Sequence, residues 1–372
     1  MTVRVAPGFF DLEYAFSKRV TAIGWQVITD AVTQSAQIHS EQLNRMLGFW
    51  ARAIDPTRPQ IKFRLPVLVE MQMLQGEDDS PVAVRGFDEY QIGFPLYDVG
   101  LAWGNNRKSR AKMTVGDANQ FTLNMLQADS RWQRGQMFRA LLNNVQYVYE
   151  DKGIGGIGDI TVKPLANGDT DRYHRTDGET DVDNHYHAQA DAIDATHSPF
   201  EDIFEDLTEH PANQGNEILS FVPRGLVKSV QALPDFIPFA MNGRVRNSTS
   251  QDVLTDFPDV PFGDRPLGLL QDSGVYVKEW RALTAKYIIS VPVDNAEEVL
   301  GWRDEPEAEL QGLRPEVATY DGNHVVERGL RTRGFAVRNR VGARVDLIGA
   351  AVDDVYEVPA NFLVPGQDDP EE

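Results

Sequence analysis

Cysteine is absent from the 372-residue sequence. This absence excludes disulfide bonds, thiolate metal ligands and a thiol nucleophile, and it fits a reducing compartment. No run of about eighteen apolar residues occurs, so no membrane-spanning helix is expected. The opening segment MTVRVAPGFFDLEY also lacks an apolar stretch of signal-peptide length. The sequence therefore predicts a protein with no membrane partner.

Positive charge is scarce, because 36 lysines and arginines face 56 acids and leave a net charge of −20. Non-specific coating of DNA needs clustered basic residues that release counterions, and this balance argues against it. The charge is also uneven. Residues 167–209 carry thirteen acids against Arg172 and Arg175, whereas residues 328–344 carry six arginines and no acid. These segments form either complementary faces that steer neighbouring copies or two ordinary solvated surfaces.

Hydrophobic residues make up 41% of the chain, as in proteins that bury a core. Apolar residues at helical spacing predict a helix over residues 20–52 and another over 129–152, the second capped by Asp129 or Ser130. A shorter helix is expected to open with a capping box at Ser198-Pro-Phe-Glu. A strand and another helix follow it, and this order of helix, strand and helix predicts the α+β class. The predicted buried faces of the two helices are Phe200, Ile203, Phe204 and Leu207, and Leu226, Val227, Val230 and Leu233.

Strands are predicted at residues 159–165 and 218–222, and two more lie within 274–293. Near the end of the chain, alternation from Phe335 to Val355 predicts a hairpin that turns around Val341-Gly342. The acidic tail GQDDPEE is predicted to be disordered from its composition.

The longest alternation of apolar and polar residues runs from Gln60 to Met73, in the sequence QIKFRLPVLVEMQM. A strand of that length would span about 46 Å, whereas typical strands have about five or six residues. Pro66 cannot donate to a ladder, so we expect an open edge or a bulge there. A turn at 75–81 and a second extended stretch from Tyr90 to Trp103 complete a projecting hairpin that a neighbouring subunit can cover. The alternative is a hairpin packed on its own domain.

Basic residues follow the second arm of this predicted projection. Together with arginines near the end of the chain they are the candidate inter-subunit contacts: Arg107, Lys108, Arg110, Lys112, Arg331, Arg333, Arg338 and Arg340.

Three motifs suggest ligand binding but lack the required context. Gly153–Gly158 matches a dinucleotide fingerprint, yet it follows a predicted helix and precedes a strand, so we interpret it as a turn. Asp177–Asp183 resembles a calcium loop, but valine stands where the loop needs glycine. Four histidines at 185, 187, 197 and 210 have no recognised zinc spacing, and we predict solvated histidines in a polar loop. We therefore predict no metal, no cofactor and no catalytic residue.

The order of these elements resembles that of the major capsid proteins of tailed bacteriophages, the Hong Kong phage fold that encapsulins share. FPLYDVGLAWG and KMTVGDANQFTLNML resemble the descending arm of the family's extended loop and the approach to its spine helix. ITVKPL resembles the first peripheral strand, and FAVRNRVGARVDLIGAAVDDVYEVP resembles the return to the peripheral domain. The resemblance covers nearly the whole chain.

The resemblance implies a domain layout. It consists of an N-terminal arm at 1–57, an extended loop (E-loop) at 58–115, a peripheral domain at 116–185 and 336–372 that includes a spine helix at 129–152, and an axial domain at 186–335.

The resemblance also implies a virion shell subunit that is not an enzyme. Such a subunit assembles with copies of itself, in the host bacterial cytoplasm, into pentamers and hexamers of an icosahedral shell around double-stranded DNA. The implied partners are a separate scaffolding protein, a portal, a decoration protein and packaged DNA that is contacted non-specifically at most. A separate scaffold is expected because no long charged helical segment precedes the arm. Two alternatives stay open: an encapsulin-type nanocompartment shell, and a metal-dependent enzyme that uses His185, His187 and nearby acids.

Overall fold

The structure is a computed structural model that describes residues 16–66, 71, 87–152, 158–239, 257–294, 297–319, 324–349 and 355–363. Several predicted features lie outside these residues: the turn at 75–81, the glycine-rich segment up to residue 157 and the acidic tail. No helix in the described ranges is long and apolar enough to cross a membrane.

The described residues form six α-helices and eighteen strands. The helices are α1 Val20–Ile23, α2 Trp25–Leu47, α3 Arg107–Lys112, α4 Val115–Leu142, α5 Phe200–Thr208 and α6 Val227–Gln231. The strands are β1 Ala51–Ala53, β2 Gln60–Pro66, β3 Phe87–Gly93, β4 Tyr97–Asn106, β5 Tyr147–Asp151, β6 Gly158–Val162, β7 Asn167–His174, β8 Thr180–Asn184, β9 Tyr186–Gln189, β10 Ile218–Val222, β11 Phe236–Pro238, β12 Arg265–Leu270, β13 Val275–Glu279, β14 Tyr287–Pro292, β15 Leu300–Asp304, β16 Arg314–Thr319, β17 His324–Val337 and β18 Arg344–Ile348. This mixture confirms the α+β class.

The chain forms two compact units, and each is described by itself. Unit 1 comprises Met1–Leu47, Leu96–Gln136 and Arg303–Gly334, and unit 2 comprises Gly48–Pro95, Met137–Trp302 and Phe335–Glu372.

Unit 1 is organised around β17, which pairs antiparallel with both β16 and β4. Helix α2 and the first part of α4 supply apolar side chains to this unit, where Ala36, Met125 and Leu313 are buried together. The indole of Trp103 stacks on Phe121 with ring centroids 5.6 Å apart. Small residues allow this packing, because a Cβ at Gly329 would lie 2.4 Å from the Met125 sulfur.

Unit 2 contains a seven-stranded mixed sheet in the order β11-β12-β13-β10-β14-β18-β9. The central strand β10 pairs parallel with β13 and antiparallel with β14. All residues of β10, β14 and β18 are buried. Burial on both faces explains why β10 and β14 are mostly apolar in sequence, without the alternation of a half-exposed strand.

The helices of unit 2 bury apolar faces against a common core. Phe200, Ile203 and Leu207 of α5 lie at helical spacing and are all buried. Val227 and Val230 of α6 belong to the same cluster. These two helices confirm the predicted apolar faces in this part of the chain.

The hairpin of β2 and β3 pairs Gln60 with Gly93 and Pro66 with Phe87. Phe63 and Tyr90 are buried on one face, whereas Lys62 and Glu89 form an ion pair on the other. The predicted alternation is therefore correct as far as Pro66. Residues 67–70, 72 and 73 of the predicted strand lie outside the described residues.

The second predicted arm, Tyr90 to Trp103, is not one continuous strand, and this prediction is wrong. β3 ends at Gly93, and β4 then pairs with β17 over ten residues, away from β2. The Phe94 N–H still donates to the Pro59 carbonyl, one pair beyond Gln60 and Gly93. The next residue, Pro95, has no N–H and cannot donate to a ladder, which favours the break there.

The predicted helix over 129–152 has the wrong boundaries, because α4 spans Val115–Leu142. Its start is a reciprocal cap: the Asp117 N–H donates to Thr114 Oγ1, and the Thr114 N–H donates to an Asp117 carboxylate oxygen. Beyond its end, the Asn143 side chain donates to the Val145 carbonyl, and residues from Tyr147 enter β5. Asp129 lies inside the helix and is not a cap.

Two other helix predictions also need correction. The first predicted helix is interrupted at Gly24, which has a φ of +107°, and α2 ends at Leu47 before β1. Helix α5 begins at Phe200 with no side-chain cap, so the predicted capping box at Ser198 is wrong.

The predicted hairpin from Phe335 to Val355 is also wrong. β17 pairs with β16 and β4, whereas β18 pairs with β14 and β9. Two strands that follow one another in sequence therefore belong to separate sheets. Alternation shows that each segment is extended, but it does not specify the partner strand.

Candidate functional site

The basic cluster after β4 forms the short helix α3. Lys108 and Lys112 are exposed. Arg107 and Arg110 lie on the same helix, so all four basic residues predicted as contacts belong to α3. At least the two lysines are available to an acidic partner.

Arg331 and Arg333, by contrast, are buried inside unit 1, with only 1% of each residue exposed. Arg331 binds both carboxylate oxygens of Asp129 and also donates to Ser40 Oγ. Arg333 makes a bidentate pair with Asp304, at 2.6 and 2.7 Å. Their prediction as surface contacts is wrong, because both guanidinium groups are bound inside the subunit.

Further partners of Arg331 and Arg333 come from the two long helices α2 and α4. His39 lies 3.0 Å from Asp129, while Arg333 donates to the side-chain oxygens of Asn44 and Gln133. Burial works to raise the pKa of Asp129, but its hydrogen bonds and ion pairs with His39 and Arg331 outweigh burial and lower that pKa. The network fixes α2 and α4 against β17.

Arg340 lies in unit 2 and is fully buried. It forms ion pairs with Asp169 and Asp171 and donates to the carbonyl oxygens of Pro164 and Leu165. Burial works to lower the pKa of Arg340, and the nearby Tyr173 and aspartates outweigh it and raise that pKa. Its prediction as an inter-subunit contact is therefore also wrong.

Arg338 and Arg344 complete the basic segment. Arg338 pairs with Glu297 and Glu298, and 12% of its side chain is exposed. Both glutamates belong to the same chain, so Arg338 also makes its ion pairs within the subunit. Arg344 pairs with Asp346 and with Asp206.

The acidic and basic segments therefore bind one another inside unit 2. Asp169, Asp171 and Asp206 come from the acid-rich segment, and Arg340 and Arg344 come from the arginine-rich one. The sequence contained a signal for this pairing in the opposite charges of the two segments. The two alternatives left open by the sequence were contact between copies and two solvated surfaces, whereas these ion pairs lie within one chain.

A second buried polar cluster joins Asp183, His185 and His210. His185 Nε2 and His210 Nε2 lie 3.0 and 2.7 Å from the same Asp183 oxygen and 3.2 Å from one another. The residues are 8%, 0% and 2% exposed. Burial works to raise the pKa of Asp183, but the hydrogen bonds from the two histidines outweigh it and hold that pKa far below its usual range. The prediction that these histidines are solvated is wrong.

The other two histidines of this segment lie elsewhere. His187 Nε2 lies 3.0 Å from Asp206 and 2.7 Å from the Asn184 carbonyl oxygen. His197 is largely exposed, with Asp194 and Asp191 as its neighbours. Spacing alone could not separate the buried pair from these two, because His210 reaches His185 only after helix α5.

Comparison with solved structures identifies the fold. A structure of Mycobacterium phage Patience matches with a TM-score of 0.65 and 19% identity, over 98% of this chain and 99% of that chain. The asymmetric unit of the bacteriophage PhiM1 mature capsid matches with a TM-score of 0.50 and 7% identity, over 81% and 86% of the two chains.

The chain has the fold of a phage major capsid protein. The resemblance seen in the sequence is thus confirmed at the level of fold. No family model and no curated protein matches the sequence.

In this capsid fold, unit 1 exposes apolar side chains along α2. Val27 and Ile38 are 56% and 47% exposed. They are separated by three helical turns and so lie on nearly the same face. Leu101 of β4 and Leu123 of α4 are each more than 40% exposed.

Proposed function

We propose that this chain is the major capsid protein of a tailed bacteriophage. Copies of it assemble into pentamers and hexamers of an icosahedral shell that encloses double-stranded DNA. The protein acts as a structural subunit without catalytic activity.

The observation that carries this proposal is the match to the Patience phage structure, which extends over nearly the full length of both chains. A match over one domain would be compatible with many functions, because common folds are reused. Here the match covers 98% of this chain and 99% of the other. Such agreement favours the same structural role.

The exposed features of the subunit support assembly. The α2 face with Val27 and Ile38 offers apolar surface to a neighbouring copy. The exposed lysines of α3, Lys108 and Lys112, offer positive charge on a chain with a net charge of −20. Opposite charges on neighbouring copies favour association in one register.

The predicted domain layout is part of the proposal. The hairpin of β2 and β3 is the base of the extended loop at 58–115, and α2 belongs to the N-terminal arm at 1–57. Helix α4 is the spine helix, within the peripheral domain at 116–185 and 336–372. Six strands of the seven-stranded sheet of unit 2, all except β18, lie in the axial domain at 186–335.

The proposed location is the virion, after assembly in the cytoplasm of a host bacterium. The proposed partners are other copies of the chain, a separate scaffolding protein, a portal and a decoration protein. Packaged DNA is contacted non-specifically at most, because a net charge of −20 disfavours binding to phosphates.

Electron microscopy of the purified protein, expressed alone and with candidate scaffolding proteins from the same genome, tests the proposal. Closed shells, or rings of five and six subunits, are the expected result. A subunit that stays monomeric under all these conditions would contradict it. Shells that enclose a protein cargo instead of DNA would favour the nanocompartment alternative.

A further inference from the structure

The cluster of Asp183, His185 and His210 in unit 2 has the arrangement of a metal site. The three ligand atoms are Asp183 Oδ2 and the Nε2 atoms of both histidines. Their separations of 2.7, 3.0 and 3.2 Å are close to the roughly 3.3 Å expected between neighbouring ligands of a tetrahedral zinc ion with bonds of about 2.0–2.1 Å. A small outward movement of each side chain would admit the ion.

The other ring nitrogen of each histidine faces a backbone carbonyl oxygen. His185 Nδ1 lies 2.7 Å from the Ala343 oxygen, and His210 Nδ1 lies 3.4 Å from the His174 oxygen. A carbonyl oxygen only accepts hydrogen bonds, so each Nδ1 carries the proton. An Nε2 atom that binds an ion carries no proton, so each ring would offer its Nε2 lone pair to an ion beside Asp183. Metal-binding histidines are held in this way by an outer hydrogen bond that selects the tautomer.

The surroundings add a further carboxylate. Glu209 Oε1 lies 3.8 Å from His210 Nε2, is buried and has no hydrogen-bond donor, although Arg175 approaches it at 3.3 Å. Glu209 and Asp183 therefore place two carboxylates beside His210. A divalent cation among these groups would relieve the repulsion between the two carboxylates.

We propose that Asp183, His185 and His210 bind one divalent transition-metal ion, of which zinc is the representative, at a structural site inside the capsid subunit. Two imidazoles and a carboxylate suit zinc and related ions better than magnesium or calcium. Glu209 Oε1, 3.8 Å from His210 Nε2, is the candidate for the fourth ligand. The ligands are almost fully buried, which fits a closed structural site and not a catalytic site with an open position for substrate.

The ion would tie the segment that carries Asp183 and His185 to the segment that carries His210, and the Nδ1 contact of His185 adds the chain just before β18. Asp183 belongs to β8, His185 is held against the chain just before β18, and His210 follows α5. In a chain without cysteine, a metal ion can cross-link these segments where a disulfide cannot. The ion would stabilise the folded unit through its binding free energy.

The experiment uses the full-length chain without a histidine tag. The protein is equilibrated with Zn²⁺, exchanged into metal-free buffer and examined by elemental analysis and thermal unfolding, with and without a strong chelator. The expected result is about one zinc ion per chain and a lower Tm after chelation. A wild-type chain that retains no zinc, or whose Tm is the same with and without chelator, overturns the proposal.

Matched variants locate the ion. Asp183→Asn and His210→Gln should each weaken zinc binding by more than about tenfold, since they alter ligands and not outer partners. His197→Gln, a change of the same kind at an exposed histidine in the same region, should bind zinc as the wild type does. Equal losses of zinc affinity in His197→Gln and His210→Gln would show that His210 is not a specific ligand and would refute the proposed site. If a ligand variant fails to fold, the wild-type chelation measurement still decides the question.

Discussion

Arg333 and Asp304 form a bidentate ion pair in unit 1, with nitrogen–oxygen distances of 2.6 and 2.7 Å. The Arg333 side chain is 1% exposed and the Asp304 side chain 17% exposed. An arginine that appears from sequence to be a surface contact is therefore an internal cross-link. Its third nitrogen reaches Asn44 and Gln133, so one side chain joins two helices to the strand that carries it.

We predict that Arg333→Met or Asp304→Leu alone lowers the free energy of unfolding of unit 1 by about 3–5 kcal/mol, because each leaves its buried partner unpaired. The double variant should lose less than the sum of the two. Denaturant unfolding of unassembled subunits measures these differences. The control is Arg328→Met on the same strand, whose pair with Glu316 is about 40% exposed and should change stability by at most about 1 kcal/mol. If the two losses of unfolding free energy simply add in the double variant, Arg333 and Asp304 do not stabilise one another.

Two glycines should respond in opposite directions to alanine. At Gly268, a Cβ would lie 2.1 Å from the Ile237 carbonyl oxygen, so Gly268→Ala forces β11 and β12 apart and should destabilise unit 2 by about 1–3 kcal/mol. At Gly135, inside α4, a Cβ meets nothing within 4 Å. Gly135→Ala should therefore stabilise the helix by about 0.5–1 kcal/mol. Thermal unfolding measures both effects. A Gly268→Ala variant more stable than the wild type would show that β11 and β12 are not as close at Gly268 as the structure has them.

His187 should make stability depend on pH. Burial works to lower the pKa of His187, but the hydrogen bond to Asp206 and the nearby Asp346 outweigh burial and the positive Arg344, so that pKa is raised. A raised pKa in the folded state stabilises the protein below the ordinary histidine pKa of about 6.5, and this stabilisation is lost as pH rises through the folded value. The unfolding free energies of wild type and His187→Gln should thus differ most near pH 5 and converge toward pH 8. If the difference in unfolding free energy between the two proteins grew with rising pH, the raised pKa of His187 would be contradicted.

Charge reversal on α3 tests the proposed assembly surface. Lys108→Glu with Lys112→Glu should impair shell formation while leaving the subunit folded, because both side chains are exposed and would then repel an acidic neighbour. Lys152→Glu with Lys228→Glu changes the net charge equally at two other exposed lysines and should assemble normally. Electron microscopy and circular dichroism separate assembly from folding. Normal shells from the α3 variant would remove this surface from the proposal.

The sequence by itself determined the class of fold and much of the local structure. Alternation identified the hairpin strand from Gln60 to Pro66, and helical spacing identified the buried face of α5. These patterns can be recognised in the sequence because one face of each element is apolar. The spacing of its apolar residues is set by the geometry of that element alone. The order of elements was also enough to indicate the capsid fold that the comparison with solved structures supports.

Tertiary structure alone decided the partners. The arginine-rich segment binds aspartates within its own chain, His185 meets His210 across helix α5, and β17 and β18 join separate sheets. Charge and periodicity specify that a side chain needs an opposite charge or that a segment is extended. They do not specify which distant residue satisfies that need, because the choice depends on packing between segments that are far apart in sequence.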